Sequence, residues 1–420
     1  MLSKILNKLY KLTLIMIHYK NFILSTCLAM ASLTVAAQDC TTLTTEQAKA
    51  EIANIPGETM GQKLESLLFW SQEDKERRFP IMHELYPSIL VSGASESSSL
   101  EKTENIIPIW DDKTILTSYM SDNHVQGVIV IQNNKIKLEA YSNGIDKETL
   151  WTSFSVAKSV SSMLVGVALK EGDIESLDDP LKKYITELKG YDYGEVSVRQ
   201  LLTMTSGIAW NEDYEDHNSD VAQMYLQPCD GNESHILTYM KQLEFSNKPG
   251  TTWNYSTGET DLVGILVQKA TGKSLAENLS EKIWKPWGME HCAYWLADEC
   301  SNENIGGSGL SASLRDFARL GTLMLSESKL NDNKILADEW VKDATSILYK
   351  TNEQGDGYGY LWWRSNSGSY AAVGIFGQMI YIDPSKDLVI AQTAAWPKAS
   401  SKELVKGRKE FVNAVIKALE

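Results

Sequence analysis

Phe154-Ser155-Val156-Ala157-Lys158 opens a long apolar run and holds a hydroxyl and an amine three residues apart. On a helix that spacing puts both side chains on one face, roughly 5–6 Å apart at Cβ. A serine hydroxyl is a poor nucleophile until a neighbouring base takes its proton. A lysine can be that base only if burial lowers its pKa, and the run behind Ser155 is apolar nearly all round. Ser155 is therefore the candidate acylatable nucleophile and Lys158 its base. At a helix start Ser155 also meets unpaired backbone N–H groups and the positive end of the helix dipole, which favour developing negative charge.

Ser-x-x-Lys recurs at Ser99/Lys102 and Ser326/Lys329, so the spacing alone selects nothing. Ser99 lies in a serine-rich stretch, 92–99, that reads as a loop. Ser326 follows an apolar run ending at Leu325. Only Ser155 has a buried helix behind it: Val156, Val160, Met163, Leu164, Val167 and Ala168 recur at helical spacing, and Gly172 supplies a stop. Two other stretches carry chemistry. Tyr255, in Trp253-Asn-Tyr-Ser-Thr-Gly258, precedes an apolar helix over 261–270; a phenol beside a cationic lysine can hold a lowered pKa and shuttle a proton to a leaving group. Gly374 and Ile375, in Val373-Gly-Ile-Phe-Gly-Gln378, lie at a strand edge, where glycines admit a substrate to the backbone or mark a β-bulge. An amide there, with the Ser155 amide, would form an oxyanion hole, in which one donor is worth roughly 3–4 kcal/mol. Ser–His–Asp/Glu catalysis finds no support: Gly-x-Ser-x-Gly does not occur, and no histidine has a distinctive context.

Val125–Ile131 and Lys135–Tyr141 alternate like strands and are joined by Asn133-Asn134, which predicts a hairpin. From 181 to about 349 the chain reads as helices and loops, with a short helix ending near Gly207 and another over 311–325 capped by Ser311 or Ser313. Strand character returns at 369–373, 378–382 and 388–393, and 401–419 reads as a closing amphipathic helix. Two early strands, a helical insert and three late strands predict an α+β chain with one antiparallel sheet flanked by helices. Thr271-Gly-Lys-Ser274 mimics a phosphate-binding loop, but Val267 stands where its first glycine belongs. Residues 38–105 form a helical extension before the main domain, 106–420. The sheet part of that domain covers about 106–165 and 350–420, and the insert about 166–349. In the extension, Thr44-Thr45-Glu46-Gln47 starts a helix, 60–70 is amphipathic, and the charged run from Trp70 to Pro87 reads as a solvated helix face.

The 420 residues carry a formal charge of −15; without the first 37, 36 Lys and Arg face 55 Asp and Glu. Such a surface repels nucleic acid and anionic membrane. Residues 1–37 read as a signal peptide, with Lys20 before an apolar run and Val35-Ala36-Ala37 for cleavage; Met16 offers a start of ordinary length. The run is shorter than the ~18 residues of a membrane span, so no anchor is predicted and the location is periplasmic or secreted. Cys40, Cys229, Cys292 and Cys300 then remain, with three pairings open; Cys292 and Cys300 are close enough to close a small loop. Cys-x-x-Cys is absent and the six histidines lack ligand spacing, so neither metal nor cofactor is predicted.

Together these pieces resemble the serine β-lactamase/penicillin-binding superfamily, in its class C-like branch. Five stretches carry the likeness in order: Trp151–Lys158, Val198–Gly207, Pro249–Gly258, Gly306–Leu310 and Gly374–Gln378. Trp70–Pro87 is most similar to the 6-aminohexanoate-dimer hydrolase subgroup. The resemblance implies a five-stranded antiparallel sheet with flanking helices and a helical region, with the site between them. It implies Ser155 as nucleophile, Lys158 as base, Tyr255 as proton shuttle, and the amides of Ser155 and Ile375 as oxyanion donors. Two departures stand out. Thr257 replaces the Asn of the usual Tyr-x-Asn, giving a shorter handle for a substrate amide. The third motif, which normally opens with a cation, reads Tyr370-Ala-Ala-Val-Gly374, and an unpartnered substrate carboxylate would be costly to desolvate there. Esters or small amides, cleaved through an acyl-serine, are therefore the expected substrates, and penicillins poor ones. A D-amino-acid peptidase and a non-catalytic binder of peptides or peptidoglycan fragments are the competing readings.

Overall fold

The hairpin forms as its alternation dictates, and both turn residues, Asn133 and Asn134, take left-handed φ of 51° and 57°, as a tight two-residue connection needs. The computed structural model describes Cys40 and residues 45–94, 100–331 and 333–420. The signal-peptide reading lies outside the described residues. Residues 39–420 form one compact unit.

In chain order, helices α1 (Glu46–Asn54), α2 (Met60–Ser66) and α3 (Gln72–Arg78) precede strand β1 (Ser88–Val91). The hairpin strands are β2 (Val125–Gln132) and β3 (Lys135–Tyr141), followed by β4 (Leu150–Thr152) and helix α4 (Val156–Glu171). Helices α5 (Val198–Leu202) and α6 (Thr257–Thr271) then lead to β5 (Ala293–Leu296), β6 (Leu310–Ser313) and helix α7 (Leu314–Leu325). Strands β7 (Tyr370–Gly374), β8 (Gln378–Asp383) and β9 (Leu388–Ala394) and helix α8 (Lys402–Leu419) close the chain.

The main sheet runs β7-β8-β9-β2-β3, antiparallel throughout, and two-residue strands extend it at both edges. Its two faces are both buried, and period-two alternation sorts the residues: Ile129 and Ile131 enter the core shared with α4, α6 and α7, while Val128 and Val130 enter a second core. That second core takes Trp70, Phe79 and Met82 from the extension and Phe411 from α8. A second sheet, β1-β5-β6-β4, was not foreseen. Its strands β5 and β6 lie in the stretch expected to hold only helices and loops. They are four residues each and buried on both faces, so no alternation marks them.

The charged run 70–87 is not a solvated face. Lys75 and Arg78 are 2% and 3% exposed. Arg78 donates from Nε to Glu51 Oε2 at 2.7 Å and lies over the Trp70 ring. Lys75 donates to the Pro397 carbonyl and stands 4.5 Å from the Phe376 ring centroid; burial pushes its ammonium down to about 8. These partners lie far along the chain, so local charge density could not reveal them. The cysteine expectation is corrected too. The bridges are Cys40–Cys292 and Cys229–Cys300. Extended β5 separates Cys292 from Cys300, so the small loop does not close.

Candidate active site

Helix α4 starts where its apolar spacing places it and ends at Gly172, with φ 84°. Ser155 is its N-cap residue, yet its side chain makes no capping bond, so the hydroxyl is released for other work. The residue before it, Phe154, is held at φ 44°, an uncommon conformation for a bulky side chain. Packing over-determines this turn. Phe154 meets Phe79 at 4.9 Å and Phe376 at 5.1 Å between ring centroids, both edge-on. Ser153 ties the turn to β6 through its N–H to Leu310 O, 2.8 Å.

Lys158, one turn on, is 1% exposed. Its Nζ donates to Thr257 Oγ1 and to Gly307 O, each at 2.9 Å. Burial pushes its pKa down, against the opposing pull of the Glu212 and Asp261 carboxylates. Ser155 is near enough to the Tyr255 phenol to favour its ionised form, and the Lys158 Nζ stands 5.5 Å from the Tyr255 ring centroid. Three residues from two distant stretches are thus brought together. One expectation is overturned: burial, aided by Glu212, drives the Tyr255 phenol above its ordinary range rather than below it. It stays a neutral acid, since the nearby lysine is itself desolvated.

Helix α6 begins at Thr257, four residues before the apolar run, because Ser256 caps it by accepting from Glu259 N at 3.2 Å. Its first turn carries buried polar side chains that hydropathy could not include. Thr257 lines the cavity, but its hydroxyl is occupied within the protein by Lys158 and by Glu212. Glu212 also accepts from Thr257 N at 2.9 Å, from the Tyr214 hydroxyl at 2.6 Å and from Trp210 Nε1. Asp261 accepts from Gly307 N at 2.6 Å and from the Tyr225 hydroxyl at 3.2 Å; burial first, then Lys158, sets its carboxyl at about 7. A Cβ on Gly307 would stand 2.8 Å from Asp261 Oδ1 and 3.1 Å from Lys158 Nζ, so only glycine fits there. Glu212 and Asp261 escaped the sequence reading. Asp261 merely opens the apolar run 261–270, and Glu212 sits in the acid-rich stretch 212–216 with no feature that singles it out.

Gly374 ends β7, and a Cβ on it would lie 2.7 Å from Ser153 O. The glycine therefore admits the turn that carries Ser155 to the strand edge, and Ile375, the next residue, lines the same cavity as Ser155. This cavity, about 660 Å³ including its open mouth, is walled by Leu64, Leu67, Leu68, Met82 and Met224. Three of the five come from the α2 region. Among the described lining residues the one ionisable acid is Glu65, and there is no Lys or Arg. Trp253 and Trp363 do not line it; they pack around Tyr255, with Trp363 stacked at 5.6 Å.

The chain belongs to the Beta-lactamase family, whose model matches residues 113–408. Among known proteins, it is similar to the 6-aminohexanoate-dimer hydrolase of Paenarthrobacter ureafaciens, 25% identical over 82% of this chain and 91% of that one. A Bacillus anthracis protein provisionally named as a 6-aminohexanoate-dimer hydrolase superposes with TM-score 0.72, 25% identity, and coverage of 82% of this chain and 94% of that one. A class C beta-lactamase shares the fold, with TM-score 0.53, 21% identity and coverage of 71% and 93%.

Proposed function

We propose that this protein is a secreted or periplasmic serine hydrolase that cleaves esters or small amides through an acyl-enzyme on Ser155. One observation carries the reading: Ser155, beside the Tyr255 phenol, stands one turn from a buried amine already tied to two acceptors. Lys158, in its neutral form, takes the Ser155 proton as the oxygen bonds to the substrate carbonyl carbon. The oxyanion rests on the amides of Ser155 and Ile375. Tyr255, a neutral phenol, gives a proton to the leaving oxygen or nitrogen as its bond to the carbonyl carbon breaks, and regains one from the Lys158 ammonium. Water then attacks the acyl-serine by the same route in reverse.

The cavity's apolar wall and its lack of a cation favour an uncharged acyl group. A carboxylate buried there would face Glu65 with no partner. Nitrocefin turnover is therefore expected to be poor beside that of short p-nitrophenyl esters. The test is a burst of p-nitrophenol from the full chain, with labelling by a fluorophosphonate probe. Ser155→Ala and Lys158→Ala should both abolish the burst. A label that persists in Ser155→Ala would end the assignment. A panel of short esters, 6-aminohexanoate dimer and D-Ala peptides separates esterase, amidase and peptidase.

A further inference from the structure

The Lys158 amine has two acceptors within the protein, and their roles differ. Gly307 O accepts and can do nothing else. Thr257 Oγ1 could accept or donate. Its role is decided from behind, by Glu212. That carboxylate receives four bonds, from Thr257 N (2.9 Å), Tyr214 OH (2.6 Å), Trp210 Nε1 and the Thr257 hydroxyl itself. A carboxylate accepts only, so the Thr257 proton points at Glu212 and the Thr257 oxygen is left to accept from Lys158.

We propose that Glu212 is a positioning residue that acts through Thr257 on Lys158, fixing the amine's two N–H bonds so that its lone pair faces Ser155 and Tyr255. The inference rests on the serine-hydrolase reading above. Replacing Glu212 by glutamine makes a definite rearrangement. The N–H groups of Thr257 and Trp210 can only donate, so the new amide turns its oxygen to them. Its NH₂ then faces Thr257 Oγ1, and the threonine's own proton has nowhere to go but the Lys158 lone pair. The base is consumed by a hydrogen bond.

The charged and titratable groups that face Lys158 are Glu212 and Asp261, with the Tyr255 ring beside it. Glu212 itself faces Tyr214, Tyr225, Tyr255, Asp261 and Tyr358. Removing its charge lowers the pKa of Lys158, so the acidic limb of the acylation rate moves to lower pH.

The experiment is pre-steady-state release of p-nitrophenol from p-nitrophenyl acetate by the full chain, across pH, with thermal unfolding as a check on folding. Glu212→Gln should acylate about 100-fold more slowly than wild type, within the range for a proton-transfer group, with its acidic limb lowered. Glu212→Asp should recover most of the rate. In the Glu212→Gln background, Thr257→Val removes the misdirected proton, so the double variant should be no slower than Glu212→Gln alone. A Glu212→Gln rate within about 3-fold of wild type overturns the inference, as does a double variant whose loss is the product of the single losses. If Glu212→Gln does not fold, Thr257→Ser against Thr257→Val decides. Serine keeps the relay and should stay near the wild-type rate, and equal rates for the two overturn the proposal. A wild type without a burst, or a burst surviving Ser155→Ala, is a different failure: it removes the hydrolase reading, and this inference with it.

Discussion

Lys158 and Glu259 face the same penalty, burial of an ionisable group, and answer it differently. Lys158 keeps two carboxylates nearby. Glu259, fully enclosed, has a hydrogen bond from Ser206 and no cation, and burial pushes it up to about 8. In the unfolded chain it titrates near 4.5, so between these values the native state holds the extra proton and stability falls as pH rises. Glu259→Gln should remove most of that decline. Its melting temperature should exceed the wild type's above pH 8 and converge on it near pH 5; a pH-independent gap between the two would count against this account. Asp261 contributes a slope of the same sign from 3.8 to about 7, so the decline is reduced, not abolished. At Gly374 the constraint is steric. Gly374→Ala would press a Cβ toward Ser153 O, 2.7 Å away in the present backbone. Acylation should fall while the substrate KM for short esters changes little, as expected for a contact made to the oxyanion.

At the scale of elements, the extension takes part in the site. Phe79 is fully buried against Phe154, Trp151 and Phe376, so it props the strained turn before Ser155. Phe79→Ala should cost about 3–5 kcal/mol and lower acylation more than global unfolding explains, because the Phe154 turn loses its support. Equal activity per folded molecule would refute that link. Leu64, Leu67 and Leu68 wall the cavity from the same extension. Leu67→Trp should raise KM for longer acyl chains and leave acetyl esters nearly unchanged, measured on a series of p-nitrophenyl esters.

Across the whole molecule, two disulfides fasten distant segments. Cys40–Cys292 spans 252 residues and Cys229–Cys300 spans 71. In the chain-entropy model the longer loop stabilises more, by about 1 kcal/mol, and removing either bridge costs about 2–5 kcal/mol. Cys40→Ser with Cys292→Ser should therefore lower the melting temperature at least as much as the other pair of replacements. No described helix is long and apolar enough to cross a membrane.

The residues proposed for the chemistry were legible in the sequence wherever the signal is local. Ser155 and Lys158 share a helix face, Gly172 stops that helix, and the hairpin and late strands show their period. The sequence also held Tyr255, Gly374 and Ile375 as candidates, through motifs in a fixed order. Only the tertiary structure decided what surrounds them. Glu212 and Asp261 matter because folding sets them beside Lys158, 54 and 103 residues away in the numbering of the chain. The same holds for the buried charges at Lys75 and Arg78, the cysteine pairing and the second sheet. A side chain's type and spacing fix what it can do with its near neighbours. Desolvation and charge pairing depend on whatever the fold brings within a few ångströms, and no local pattern records that.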